Sequence, residues 1–282
     1  MGNNAEWDWK IDHKISLFNW NLKEIWQYKD LLMRFVRRDL IANYQQTILG
    51  PFWILLQPIL TTITYYIIFG RIAKISTEGI PPLLFYLPGI IIWSYFSDCI
   101  NSTMYTFLQN STLFSKAYFP RLIVPLSNII SHTVRMLVQL TLFIVIYVVY
   151  VLINHSAHIS PAIILLPFLL LLTAAFALGA GLLISVITAR YRDLDYALQF
   201  ILRLFMFATP VIYPASIVPA QLKTLFWLNP LTPAIETFRT AFFSTNNFEA
   251  QPLLIATLLT IIILIAGMAF FKKLETKLMD II

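Results

Sequence analysis

Three formal charges stand inside long apolar stretches of the sequence: Asp98, Arg135 and Arg203. A charge at membrane depth is costly, so each is expected to face a helix interface or a wet cavity. For Arg203 and Arg135, snorkelling to a nearby interface is the alternative. An Asp98–Arg135 pair would be either structural or functional. A second group is aromatic. Tyr65, Tyr66 and Phe69 share one helix face by their three- and four-residue spacing, and Tyr86, Trp93 and Phe96 share another. Aromatic faces hold the C–H surfaces of sugars without reading a unique ring pattern, which suits a sliding polymer. Ordinary packing and lipid-facing belts are the alternative use. A basic trio, Arg34, Arg37 and Arg38, suits a lipid diphosphate through charge-assisted hydrogen bonds, or plain anionic headgroups. Phe114, Tyr118, Phe119 and Arg121 crowd one short loop, where aromatics suit insertion into a partner's groove or the bilayer interface. Catalytic clusters are missing from the sequence. The four histidines (His13, His132, His155, His158) are scattered, and no glycine precedes a lysine, so no phosphate-cradling loop exists. Cys99 is the only cysteine, which excludes an internal disulfide and a cysteine-based zinc site.

The elements that must position these residues follow from composition. Of 282 residues 59% are hydrophobic and 12% charged, with mean hydropathy +0.74. A soluble domain averages roughly 45–50% apolar and 25% charged, so an all-α membrane protein remains. Spans of about 20 apolar residues are predicted at 52–69, 83–106, 122–153, 162–188, 196–213 and 252–271. The polar run Asn154–Pro161 separates the third from the fourth. Residues 214–251 carry Pro214, Pro219, Pro230 and Pro233, which break each apolar run, so short outer re-entrant helices are expected there; a single distorted extra span is the alternative. Residues 22–40 alternate apolar and basic faces at helical period, predicting an amphipathic interfacial helix capped at Asn21. Packing of that helix on its own chain is the less favoured reading. Residues 1–21 have no apolar core of a signal peptide. The expected organisation is a cytoplasmic N-terminal segment with the amphipathic helix over 1–51, a six-span domain over 52–271 and a cytoplasmic tail over 272–282.

Charge sets the orientation. With six spans, 14 of the 20 Lys and Arg fall on the side holding both termini and four on the other, with two inside spans. The bias predicts a multi-pass plasma-membrane protein with cytoplasmic termini. The net charge of +6 belongs to topology, and no nucleic-acid partner is expected.

Four segments taken in order resemble the ABC-2-type polysaccharide export permeases (transmembrane subunits of O-antigen, capsule and teichoic-acid ABC transporters). They are Arg38-Asp39-Leu40-Ile41-Ala42-Asn43-Tyr44 with Leu49-Gly50-Pro51-Phe52-Trp53 and Gln57-Pro58; Phe119-Pro120-Arg121 with Pro125-Leu126; Tyr191-Arg192-Asp193-Leu194; and Thr209-Pro210-Val211-Ile212-Tyr213-Pro214 followed by Asn229-Pro230-Leu231-Thr232-Pro233 and Phe238-Arg239. The resemblance covers about residues 20–275. Gln45-Gln46 stands where the family often has a basic residue.

What the resemblance implies is a half-transporter without its own cofactor: two copies of this chain with two ATP-binding subunits that hold ATP and Mg. The implied cargo is a lipid-linked glycan exported across the membrane, expected to be the inner membrane of a Gram-negative bacterium. Residues 109–121 would dock the ATPase. Two rivals stay open. An ABC-2 exporter of another lipid or drug usually carries an outer domain or a fused ATPase. A membrane-embedded polyprenyl-linked transferase requires a cluster of acids or histidines.

Overall fold

The computed structural model describes residues 22–42, 45, 47–155, 159–191, 193–243 and 250–279, with side chains from 23 to 274. The Asn21 cap, residues 1–21, the middle of the 154–161 turn, Arg192 and the Lys277 side chain lie outside the described residues. All regular elements among the described residues are helices: α1 (Leu22–Gln27), α2 (Lys29–Ala42), α3 (Gly50–Ile72), α4 (Pro82–Met104), α5 (Thr106–Gln109), α6 (Ser111–Lys116), α7 (Ile123–Asn154), α8 (Pro161–Arg190), α9 (Leu194–Phe207), α10 (Ala220–Leu228), α11 (Leu231–Phe243) and α12 (Ala250–Met279).

Five of them are long and apolar enough to cross a membrane: α3, α4, α7, α8 and α12 over Ala250–Leu274. The chain is a multi-pass membrane protein. At the fifth predicted span, α9 has 14 residues, which at 1.5 Å rise reach about 21 Å, short of a ~30 Å hydrocarbon core. Pro210 explains the stop, because its ring disfavours helical backbone at Thr209 and removes an amide donor. The proline-rich stretch folds as a 3-10 turn over Ala215–Ile217 followed by two short helices, α10 and α11.

The core gathers around α4. Its apolar stretch is 72% buried within the protein, against 11–44% for the other four. Leu84, Phe85, Tyr86, Leu87, Ile91, Ile92, Phe96 and Ile100 are all buried there. In lipid no hydrophobic drive pulls helices together, so close backbone approach must do it. Helices α8 and α12 meet at Gly179 and Gly267, and a Cβ added at Gly179 would lie 2.7 Å from the Leu264 Cα. Helix α3 widens from α to π geometry over Tyr66–Ile72.

Helix α2 departs from the favoured sequence reading. Phe35 and Val36 are buried, and Tyr28, Leu31 and Leu32 pack with Phe119, Ile123 and Val124 at the start of α7. An amphipathic pattern specifies a face to be covered, not what covers it. Here protein covers part of that face, while Trp26 and Met33 stay open at 71% and 58% exposure.

Candidate functional site

The loop between α4 and α7 is built from two short helices and an extended turn. Asn110 precedes α6, although its side chain donates back to the Thr106 carbonyl and makes no cap bond to α6. Pro120 follows, and the Ile123 amide donates to its carbonyl. The loop aromatics divide into two roles. Phe119 was expected to be open for insertion; it is buried instead, edge-on to Phe35 at 5.9 Å and tilted against Phe114 at 5.8 Å. Arg121 is buried too, its guanidinium 5.4 Å from the centre of the Phe114 ring. Phe119 therefore fastens the loop to α2 and the start of α7, while Arg121 braces Phe114 within the loop. Tyr118 projects from it at 77% exposure, beside a cleft of about 380 Å³. The chain leaves α6 in extended backbone at Ala117, where successive side chains point to opposite sides, which residue type alone does not reveal.

The predicted aromatic faces also divide. Tyr86 is buried edge-on to Phe85 at 5.2 Å, and Phe96 is buried in a stack on Phe176 at 5.0 Å. Both serve the core and face no open path within the chain. Trp93 is half-buried, 6.0 Å from Phe205 of α9. Tyr65, Tyr66 and Phe69 are half-buried as well. Tyr65 crosses edge-on to Phe69 at 5.7 Å, and its hydroxyl donates to the Met206 sulfur at 3.4 Å. Tyr66 is held by Arg71, whose Nε donates to its hydroxyl at 2.9 Å.

Between α4 and α9 runs a polar seam that the sequence reading did not assemble. Trp93, Ser97 and Asn101 of α4 and Tyr105 just past its end recur every four residues, as Asp195, Gln199 and Arg203 do on α9. That spacing puts each set on one helix face. The Tyr105 hydroxyl donates to Asp195, and Gln199 Nε2 donates to the same hydroxyl at 2.7 Å. Above this latch, Trp93, Ser97, Asn101, Gln199 and Arg203 line a cavity of about 320 Å³. An aromatic face, two amides, a hydroxyl and a guanidinium are the groups that bind sugar rings and their oxygens. The four-residue periods were present in the sequence; the pairing of distant helices was not.

At the opposite end Arg239 of α11 is buried. Its Nη1 meets Glu236 Oε1 at 3.0 Å, Nε donates to the Phe85 carbonyl at 3.3 Å and Nη2 to the Val211 carbonyl at 3.2 Å. The guanidinium also lies 3.8 Å from the centre of the Phe85 ring. Burial holds the Glu236 carboxyl above the usual carboxylate range, and Arg239 offsets that only in part. Asn229 joins the same frame, donating to Thr209 Oγ1 at 2.9 Å and accepting from the Leu231 amide. Sequence reasoning counted Arg239 as an outer charge and missed this role. Arg34, Arg37 and Arg38 are exposed, with Arg38 paired to Asp39 at 2.8 Å.

The architecture is therefore a membrane bundle with a projecting loop at one end, a polar seam inside and a proline-framed pair of short helices at the other end. Residues 30–243 match the ABC-2 type transporter family. The chain belongs to that family. The similar ABC-2 proteins include two named O-antigen export system permease protein RfbA. The one from Klebsiella pneumoniae is 25% identical over 254 residues, covering 90% of this chain and 95% of that protein. The one from Myxococcus xanthus is also 25% identical, covering 89% and 95%. The polysialic acid transport protein KpsM of Escherichia coli is 23% identical, covering 86% and 92%. This ABC-2 permease is thus homologous to O-antigen and capsular polysaccharide export permeases along most of its length.

Proposed function

We propose that this ABC-2 permease is the transmembrane half of an ATP-driven exporter of a lipid-linked polysaccharide. The observation that supports the reading best is the α4–α9 seam, where polar and aromatic groups suited to sugars line a cavity between apolar helices. Two copies would pair with two ATP-binding subunits, which hold ATP and Mg. Tyr118 and the cleft beside it would receive the ATPase. Phe114, Phe119 and Arg121 would carry the force into α2 and α7. On the substrate path Trp93, Tyr65, Tyr66 and Phe69 are the chosen residues; Tyr86 and Phe96 stiffen the wall behind them. Arg34, Arg37 and Arg38 would receive the lipid phosphate, with Trp26 and Met33 dipping into the interface around them.

In this reading α9 and the turn after it form a short fifth span, which gives six spans with α10 and α11 re-entrant at the outer surface. Both termini are cytoplasmic, in the inner membrane of a Gram-negative cell. Export of the glycan to the cell surface by a strain lacking its own copy tests the proposal: the chain plus its ATPase should restore surface glycan, and neither alone should. Restoration by the chain alone would contradict it.

A further inference from the structure

We propose that the α4–α9 seam selects acidic glycans, with the Arg203 guanidinium holding a sugar carboxylate. The inference rests on the reading of the seam as the cargo path, and it names the class of cargo. Trp93, Ser97, Asn101, Gln199 and Arg203 line the cavity of about 320 Å³. That volume lies at the lower end of the roughly 300–1,000 Å³ typical of small-ligand sites.

An unpaired charge carries the argument. Arg203 is exposed at this cavity, and no hydrogen bond or ion pair engages its guanidinium among the described residues. The acid on the same helix face is already engaged: Asp195 accepts from the Tyr105 hydroxyl and from Gln199 Nε2 at 3.2 Å. It also stands eight residues away, about 12 Å along α9. In the six-span reading α9 enters from the cytoplasmic side at Leu194. Arg203 then lies nine residues further on, about 14 Å along the helix and roughly half-way through a ~30 Å hydrocarbon core. A charge without a partner at that depth is costly. Resident phospholipids keep their phosphates outside the hydrocarbon core, so the anion that meets Arg203 is one being carried across.

The rest of the lining decides which anion. One guanidinium matches one carboxylate in a planar, two-bond fork. A diphosphate carries more negative charge than one guanidinium neutralises, and no second Lys or Arg lines this cavity among the described residues. Asn101 and Gln199 turn their nitrogens to Ser97 Oγ and the Tyr105 hydroxyl, at 3.3 and 2.7 Å, which leaves their carbonyl oxygens for sugar hydroxyls. Ser97 keeps its own proton to donate beside the guanidinium. Trp93, half-buried at the same cavity, offers a ring face to the sugar's C–H bonds.

The test is isothermal titration of the purified full chain in lipid nanodiscs with two probes. One is a tetrasaccharide of alternating glucuronic acid and N-acetylglucosamine, and the other is the same molecule with its carboxylates reduced to alcohols. Wild type should bind the acidic probe at least about tenfold more tightly, the equivalent of one charge-assisted hydrogen bond. Arg203→Gln should lower the acidic probe to the affinity of the reduced one and leave the reduced one unchanged. Arg203→Lys keeps the charge without the fork and should fall between. Lys223→Gln, which removes an exposed charge on α10, should keep the full preference. Equal binding of the two probes by wild type, or a preference that survives Arg203→Gln, would overturn the proposal while leaving the seam a sugar site. Failure of both probes to bind would overturn it together with the reading it rests on. Inorganic diphosphate that displaces the acidic probe at a lower concentration than free glucuronate does would give Arg203 to the lipid linkage and overturn the proposal as well. If a variant fails to fold, the wild-type comparison of the two probes still decides.

Discussion

Arg239 and Phe119 show how much one side chain carries at the two ends of the bundle. Removing one partner of a buried ion pair strands the other charge, so Arg239→Gln should cost about 3–5 kcal/mol. The thermal unfolding midpoint in detergent checks this, and adding Glu236→Gln should recover part of the loss. Phe119→Ala should also cost about 3–5 kcal/mol, because it empties the joint between the loop, α2 and α7. Tyr118→Ala should leave that midpoint unchanged while weakening ATPase pull-down, since an exposed aromatic anchor is worth about 2 kcal/mol or more at an interface hot spot. Equal unfolding midpoints for the Phe119 and Tyr118 variants would erase the division of roles. At this scale the sequence revealed which residue types were present but not which way they turned. Phe119 and Tyr118 are adjacent and both aromatic, and only the fold of the loop sends one inward. Tyr86 and Phe96 mislead for a similar reason: periodicity finds a face, and the neighbours of α4 decide whether that face is open.

Elements were far more legible. Long apolar runs bounded by proline or polar turns located α3, α4, α7, α8 and α12 within a few residues. The shortness of α9 was also written in the chain, at Pro210, although hydropathy alone carries the apolar run through to Tyr213. The π segment of α3 over Tyr66–Ile72 has no local signal in the sequence. The Tyr105–Asp195–Gln199 latch joins the α4 end nearest the loop to the start of α9. Tyr105→Phe should therefore preserve assembly with the ATPase and reduce export relative to ATP hydrolysis, a ratio measurable in reconstituted vesicles. An unchanged ratio would mean the latch is only structural. The α8–α12 contact makes its own prediction. Gly179→Leu cannot be accommodated without separating the helices, because backbone of α12 occupies the space. Its yield after detergent extraction should collapse, whereas Leu171→Ala, on an exposed position of α8, should extract normally.

For the molecule as a whole, composition already required a membrane protein, and the order of its motifs pointed to the family that residues 30–243 match. Substrate and energy source are properties of an assembly, and a single chain encodes only the surfaces that meet them. The half-transporter reading rests on those surfaces together: a loop with one open aromatic, a seam lined by polar and aromatic groups, and a framed end opposite the loop. The most direct measurement reconstitutes the chain with its ATP-binding subunit in sealed vesicles whose outer leaflet carries a lipid-linked glycan, oriented with the nucleotide sites outward. Export predicts that ATP moves the glycan to the lumen, where an added glycosidase no longer cuts it, and that omitting ATP or the ATPase leaves all of it accessible. Glycan that stays accessible while ATP is hydrolysed, or that becomes protected without the ATPase, would contradict the account.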